Sequence, residues 1–188
     1  MDPQRYTLRP FPGEERRLDL AIPGTIGRRG NTLSLDFALR GDLSGLAIPS
    51  PTGSPERRYR LWKETCLELF LAEKDSERYW EFNLSPAGNW NVYRFTSYRK
   101  GMREEPAFWS LPFRVLTEPG IIRLSLELDI GKILPSGKAI EAAVCAVIKT
   151  ITGDTSHWAC VHPGPPPDFH RRDGFTFSFP AEARRFRG

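Results

Sequence analysis

The sequence predicts an all-β protein, an antiparallel β-sandwich of jelly-roll or immunoglobulin-like type. Three observations predict it. Short alternating apolar runs recur along the chain. Its seventeen prolines and sixteen glycines fall mainly between those runs, and helical periodicity is almost absent. Ile121–Ile130 shows the pattern most clearly. Ile122, Leu124, Leu126, Leu128 and Ile130 alternate with Arg123, Ser125, Glu127 and Asp129, giving one face on a core and one in water.

The remaining candidate strands are Leu18–Ile22, Thr32–Leu39, Arg57–Leu61, Thr65–Ala72, Arg78–Leu84, Asn89–Thr96, Phe113–Thr117, Ala139–Thr150, His157–His162 and Phe175–Phe179. The Ala-rich start of Ala139–Thr150 is the one place where a short helix competes. Pro163–Pro167 reads as a stiff loop and Leu43–Pro55 as a longer polar connection. With no repeat and no linker, residues 1–188 are expected to form a single domain with a basic tail at about 181–188.

A chain of 188 residues buries roughly 70% of its unfolded surface and needs no metal or disulfide to fold. The three cysteines, Cys66, Cys145 and Cys160, are odd in number and lack C-x-x-C spacing, which suits a reducing compartment. The N-terminus lacks the apolar core of a signal peptide. No apolar run approaches the roughly 20 residues of a bilayer span, so a cytoplasmic location without a membrane partner is expected. Net charge is +4, but the arginines are scattered apart from Arg184, Arg185 and Arg187. No nucleic-acid-binding motif accompanies them, and none is expected as a partner.

Chemistry concentrates between Arg60 and Arg99. Within Thr65–Ala72, alternation sets Cys66, Glu68, Phe70 and Ala72 against Leu67, Leu69 and Leu71. Within Arg78–Leu84 it sets Tyr79, Glu81 and Asn83 against Trp80, Phe82 and Leu84. If the leucine face and the Trp/Phe/Leu face share the core, then Glu68, Glu81 and Asn83 share the other surface beside Phe70 and Tyr79. Carboxylates, an amide and rings on one sheet face suit a sugar. Rings stack on pyranose faces, while polar groups satisfy hydroxyls that would otherwise be buried unpaired. The plain alternative is a solvated face, with Asn83 and Ser85 capping the turn Leu84–Gly88.

Of the tryptophans, Trp80 alternates with core residues, whereas Trp62, Trp90 and Trp158 lie near strand ends, where rings line a groove or seal a sandwich. His157, His162 and His170 match no zinc pattern, and no metal is expected. The stretch His162–Phe175 is dense in polar groups. It could reach over the same face, with Asp168, His170 and Asp173 supplying hydrogen bonds, or it could bond only to itself. Two carboxylates on adjacent strands also allow a glycosidase, since retaining enzymes hold their pair about 5 Å apart. No local active-site signature surrounds Glu68 or Glu81.

Four stretches together resemble a known family. They are Leu61-Trp62 through Leu71, Tyr79 through Phe95, Tyr98-Arg99-Lys-Gly101-Met102, and Pro167-Asp168-Phe169-His170 through Phe175. In order and spacing they are similar to DOMON-like domains related to family 9 carbohydrate-binding modules, in the small bacterial subgroup named for UDP-N-acetylmuramate dehydrogenase-like proteins. The resemblance implies an antiparallel β-sandwich with a concave ligand face. In those modules two tryptophans clamp a terminal sugar while carboxylate, amide and Arg groups take its hydroxyls. Trp62 followed by Glu68 fits the first tryptophan-then-glutamate spacing. The second clamp has no secure counterpart here, since Phe169 and His170 stand in the C-terminal motif. Other DOMON-type domains bind haem b through Met and His, for which Met102 and a histidine would serve, although no matching motif is present.

The expectation is therefore a non-catalytic domain binding a small molecule, a saccharide or amino-sugar derivative, without a cofactor. Its site would comprise Trp62, Glu68, Glu81, Asn83, Trp90, Arg94 and His170. Alternation in Asn89–Thr96 leaves open whether Tyr93 or Arg94 faces the ligand. A haem-binding domain, a carboxylate-pair glycoside hydrolase and a protein-interaction scaffold are the rivals.

Overall fold

A single strand, β1 (Gln4–Pro10), gives the fold its shape. Its residues Gln4–Leu8 pair with β2 (Leu20–Arg29), while Arg9 and Pro10 pair with β11 (Thr155–Ala159). The sheet therefore folds over along β1 into two halves. One half continues from β2 through β3 (Thr32–Gly41) and β9 (Ile121–Asp129) to β8 (Phe113–Glu118). The other runs from β11 through β10 (Ile140–Lys149), β4 (Cys66–Glu73), β5 (Tyr79–Leu84) and β6 (Trp90–Phe95) to the two-residue β7 (Arg103–Glu104). A short β12 (Phe177–Phe179) pairs with the start of β10. All of these pairings are antiparallel, and the predicted β-sandwich is the observed fold. This computed structural model describes residues 2–14 and 18–181. The Arg184, Arg185 and Arg187 cluster lies outside them.

The core fills the space between the halves. Ile22, Ile26, Leu33 and Leu35 from one meet Leu67, Leu69, Phe82, Leu84 and Val144 from the other, all at most 2% exposed. Each such side chain contributes about 1.5–3 kcal/mol through burial, enough to fix which face of every strand points inward. The β9 alternation is as read: Ile122, Leu124, Leu126 and Leu128 are buried and their neighbours exposed.

Three elements differ from expectation. The strand β1 was missed because only Tyr6 and Leu8 carry its inward face, between Arg5, Thr7 and Arg9. Pro23-Gly24 reads as a turn, yet β2 runs through it. The β2–β3 ladder is interrupted between Ala21↔Arg40 and Gly24↔Phe37, and the missing Pro23 N–H falls in that gap. Gly24 is required by close approach, since a Cβ there would lie 2.1 Å from the Asp36 carbonyl and 2.2 Å from the Tyr6 hydroxyl. Arg57–Leu61 is not a strand. It makes one bridge, Arg57↔Trp90, then turns at Arg60 in the left-handed region (φ 64°) into a short 3₁₀ turn, Leu61–Lys63. Ala139–Thr150, by contrast, forms the expected strand, β10, and the competing helix is not adopted because β4 and β11 pair it on both sides.

Candidate functional site

The outer face of β4, β5 and β6 is a second buried layer. Register places Glu68 opposite Asn83, Phe70 opposite Glu81, and Ala72 opposite Tyr79. On the next strand Tyr93 faces Glu81 and Asn91 faces Asn83. Phe70, Tyr79, Tyr93 and Phe95 form an apolar cluster there with Ala143, Cys145 and Phe175, joined by Trp62 and Phe169. Two segments cover this face. Arg57–Lys63 crosses one end and brings Trp62 edge-on to Tyr93, with ring centroids 5.5 Å apart. The stretch after Pro163 crosses the other and sets His170 against Phe70, Tyr79 and Phe95.

Between the two covers lies a cavity of about 320 Å³ lined by Trp62, Glu68, Glu81, Phe95, Arg99 and Phe169, with Met102, His157 and His170 at its edges. A larger hollow of about 710 Å³, lined by Tyr79, Tyr98 and Arg172 among others, shares His170 with it. The smaller cavity holds the unusual chemistry, because both glutamates line it. Glu68 is 3% exposed, and its Oε1 has no hydrogen-bond partner among the described residues. Burial, reinforced by the neighbouring Glu81, pushes the Glu68 carboxyl well above the ordinary range. Burial also raises Glu81, to about 7, although a hydrogen bond from Asn83 and the nearby Arg99 charge hold it back. Asn83 Nδ2 donates to Glu81 Oε1 at 2.7 Å, and Cys66 Sγ donates to Asn83 Oδ1 at 3.5 Å. The Cys66 and Cys145 thiols beside them are pushed up by burial and stay protonated.

Asp168 ties the cover down. It accepts from the Tyr98 hydroxyl, from Arg99 at 2.6 Å and from the His170 backbone N–H at 3.0 Å. Burial opposes its charge, but the bonds from Tyr98 and Arg99 prevail and lower its pKa. Tyr79 completes the junction. Its hydroxyl accepts from the Arg99 N–H at 3.1 Å and meets His170 Nδ1 at 2.8 Å, so the imidazole proton belongs on Nε2, which faces Glu81 Oε2 at 3.8 Å. That spacing would make an ion pair if His170 were charged. Burial and the Arg99 charge instead lower His170 to about 4, so at neutral pH the ring is uncharged.

Of the residues read from the sequence, Trp62, Glu68, Glu81 and His170 line this cavity, and Asn83 lies beneath it holding Glu81. Trp90 and Arg94 do not join them. Both alternate onto the opposite face of β6. There Trp90 is 3% exposed in the main core under the Arg57 guanidinium, 4.5 Å from its ring centroid. Arg94 pairs with Trp80 and opens into a separate hollow with Arg103 and Lys132. Tyr93, rather than Arg94, takes the site side. Phe95 and Arg99 were not anticipated there, and Met102 was named only as a candidate haem ligand. The Tyr98–Met102 motif was visible, but nothing in its spacing says that it meets Asp168 seventy residues on.

No protein-family model matches the sequence, and no curated protein matches it. Solved structures do share the fold. A Bacteroides uniformis protein for which carbohydrate binding has been suggested aligns with a TM-score of 0.69 at 16% identity, over 92% of this chain and 84% of its own. A family 9 carbohydrate-binding module from Caldicellulosiruptor kristjanssonii, solved in complex with cellotriose, aligns with a TM-score of 0.53 at 10% identity, over 87% and 75%. At these identities the likeness establishes the β-sandwich fold.

Proposed function

We propose that the chain is a non-catalytic binding domain that takes a saccharide or amino-sugar derivative in the cavity between Trp62 and His170. The observation that carries this reading is the Glu68 carboxyl, whose Oε1 is buried without a hydrogen-bond partner among the described residues, beside an aromatic-walled cavity of small-ligand size. A sugar supplies what that arrangement lacks. Its ring faces stack on Trp62, Phe95 or Phe169, while its hydroxyls satisfy Glu68 and Glu81. The shared fold with a module solved in complex with cellotriose supports the same ligand class. Tryptophan fluorescence and thermal shift across mono- and disaccharides test the proposal. Binding is expected in the wild type and lost in Trp62→Ala, and a wild type silent to every sugar would overturn it.

The haem alternative draws on Met102, His157 and His170 lining one cavity. These residues do not fit a porphyrin. The space is smaller than the macrocycle, and His170 turns its nitrogens to Tyr79 and Glu81. Protein mixed with haemin and then freed of unbound haemin by gel filtration is expected to carry no Soret band.

A further inference from the structure

Resting on that saccharide reading, we infer that the ligand presents a primary ammonium, as in a 2-amino sugar, to Glu68 and Glu81, and that binding releases a proton from the pair. The argument begins with what faces these carboxyls. On their own sheet the neighbours are Asn83 and the uncharged thiols of Cys66 and Cys145. The phenols Tyr79 and Tyr93 are held protonated by burial. From the covering segments come His170, which is neutral at physiological pH, and Arg99, whose guanidinium is committed to Asp168 at 2.6 Å. His157, at the rim, turns Nδ1 toward Glu14 at 3.4 Å. Among the described residues, two carboxyls thus line one desolvated cavity with a single cation, which is already paired with its own acid.

A neutral ligand leaves that imbalance in place. Glu68 then stays protonated and offers one hydroxyl donor and one carbonyl acceptor. An ammonium removes the imbalance. Its three N–H groups donate to ionised Glu68 and Glu81, and charge-assisted bonds are about twice as strong as neutral ones. The ring wall at Trp62 accepts the same cation face. The proton balance is simple. The amine arrives protonated and keeps its proton, while the carboxyl proton of Glu68 passes to buffer, together with whatever fraction Glu81 still holds. An N-acetylated sugar loses the charge and replaces the ammonium by a bulkier amide with one N–H, so it forfeits the gain.

Calorimetry at neutral pH with glucosamine, glucose and N-acetylglucosamine, each in phosphate and in Tris, tests the inference. Glucosamine is expected to bind at least about tenfold more tightly than the other two, as one charge-assisted contact allows. The difference in its enthalpy between buffers should report release of about one proton per ligand. Its affinity should also rise from about pH 5.5 to about pH 7, because binding requires the ionised pair. In Glu68→Gln the glucosamine advantage should shrink and the proton release should fall to the fraction that Glu81 alone holds, whereas an unchanged proton release would overturn the inference. Glucose or N-acetylglucosamine binding as tightly as glucosamine, or glucosamine binding without buffer dependence, would overturn the ammonium inference and leave a saccharide site standing. Silence from glucosamine would overturn the ammonium inference, and silence from every sugar of the wider mono- and disaccharide panel would overturn the saccharide reading itself.

Discussion

The outer face of β9 and the outer face of β5 begin from the same sequence pattern and end in opposite environments. On β9, Arg123, Ser125, Glu127 and Asp129 alternate with a buried apolar row, and all four are exposed. On β5, Tyr79, Glu81 and Asn83 alternate with Trp80, Phe82 and Leu84, yet all six residues are buried. The strands do not differ in how they pair. What differs is that Arg57–Lys63 and the stretch after Pro163 cover the second face, whereas none of the described residues covers the first. Alternation identifies which residues share a face, whereas remote segments decide whether that face meets water. Glu127 keeps its solvent, while Glu81 loses it and titrates near 7.

If the covered face is a second core, removing bulk from it should cost as much as in the first. Phe70→Ala, at a site 1% exposed against Tyr79, His170 and Phe175, is expected to lower stability by about 3–4 kcal/mol in urea unfolding. Leu116→Ala, on the uncovered half at 53% exposure, should change it by less than about 0.5 kcal/mol. Equal effects would erase the distinction between the faces.

The buried carboxyl gives the next largest effect. Glu81 carries a raised pKa in the fold, so its favourable contribution is complete below the ordinary carboxylate range and is lost as pH rises through about 7. Glu68 acts in the same direction. Wild-type stability should therefore fall between about pH 4.5 and pH 7.5. Glu81→Gln should flatten that fall and exceed the wild type above neutrality, by at most about 3 kcal/mol at about 1.4 kcal/mol per pKa unit. A stability profile unaffected by the substitution would show that Glu81 is solvated after all.

Asp168 sharpens the comparison with the opposite sign. Its lowered pKa means that its contribution is present above the ordinary carboxylate value and lost as pH falls through the folded one. Asp168→Asn should cost about 1–2 kcal/mol at neutral pH, with the half-exposed Arg99 limiting the effect, and should loosen the cover over Glu81. Hydrogen exchange at the His170 amide, which donates to Asp168, reports that loosening. Unchanged protection there would mean that Asp168 does not hold the cover. The smallest effect belongs to Glu127→Gln on the uncovered face, expected within about 0.5 kcal/mol in urea unfolding.

The sequence carried the sandwich because period-2 alternation over Leu67–Leu84 and Ile121–Ile130 leaves one consistent way to bury the apolar rows. It also carried the association of Glu68, Glu81 and Asn83, since a hairpin fixes which residues share a face. It did not carry the side of Trp90 and Arg94. In Asn89–Thr96 both faces bear aromatics, Trp90 on one and Tyr93 and Phe95 on the other, so hydrophobicity does not break the tie. Nor did it carry the cover. The contacts of Tyr98 and Arg99 with Asp168 span about seventy residues, and Arg57 reaches Glu105 and Phe108 across about fifty. No local pattern encodes contacts of that kind.

The central claim is that the covered face, and not the uncovered one, receives a saccharide beside Trp62 and Glu68. Chemical-shift mapping of isotope-labelled protein during sugar titration tests it most directly. Shifts should concentrate at the Trp62 indole N–H and the side-chain carboxyls of Glu68 and Glu81, with Ser125 and Glu127 silent. Saturable shifts centred on the β9 face, or no saturable shift at Trp62 with any sugar, would contradict the account.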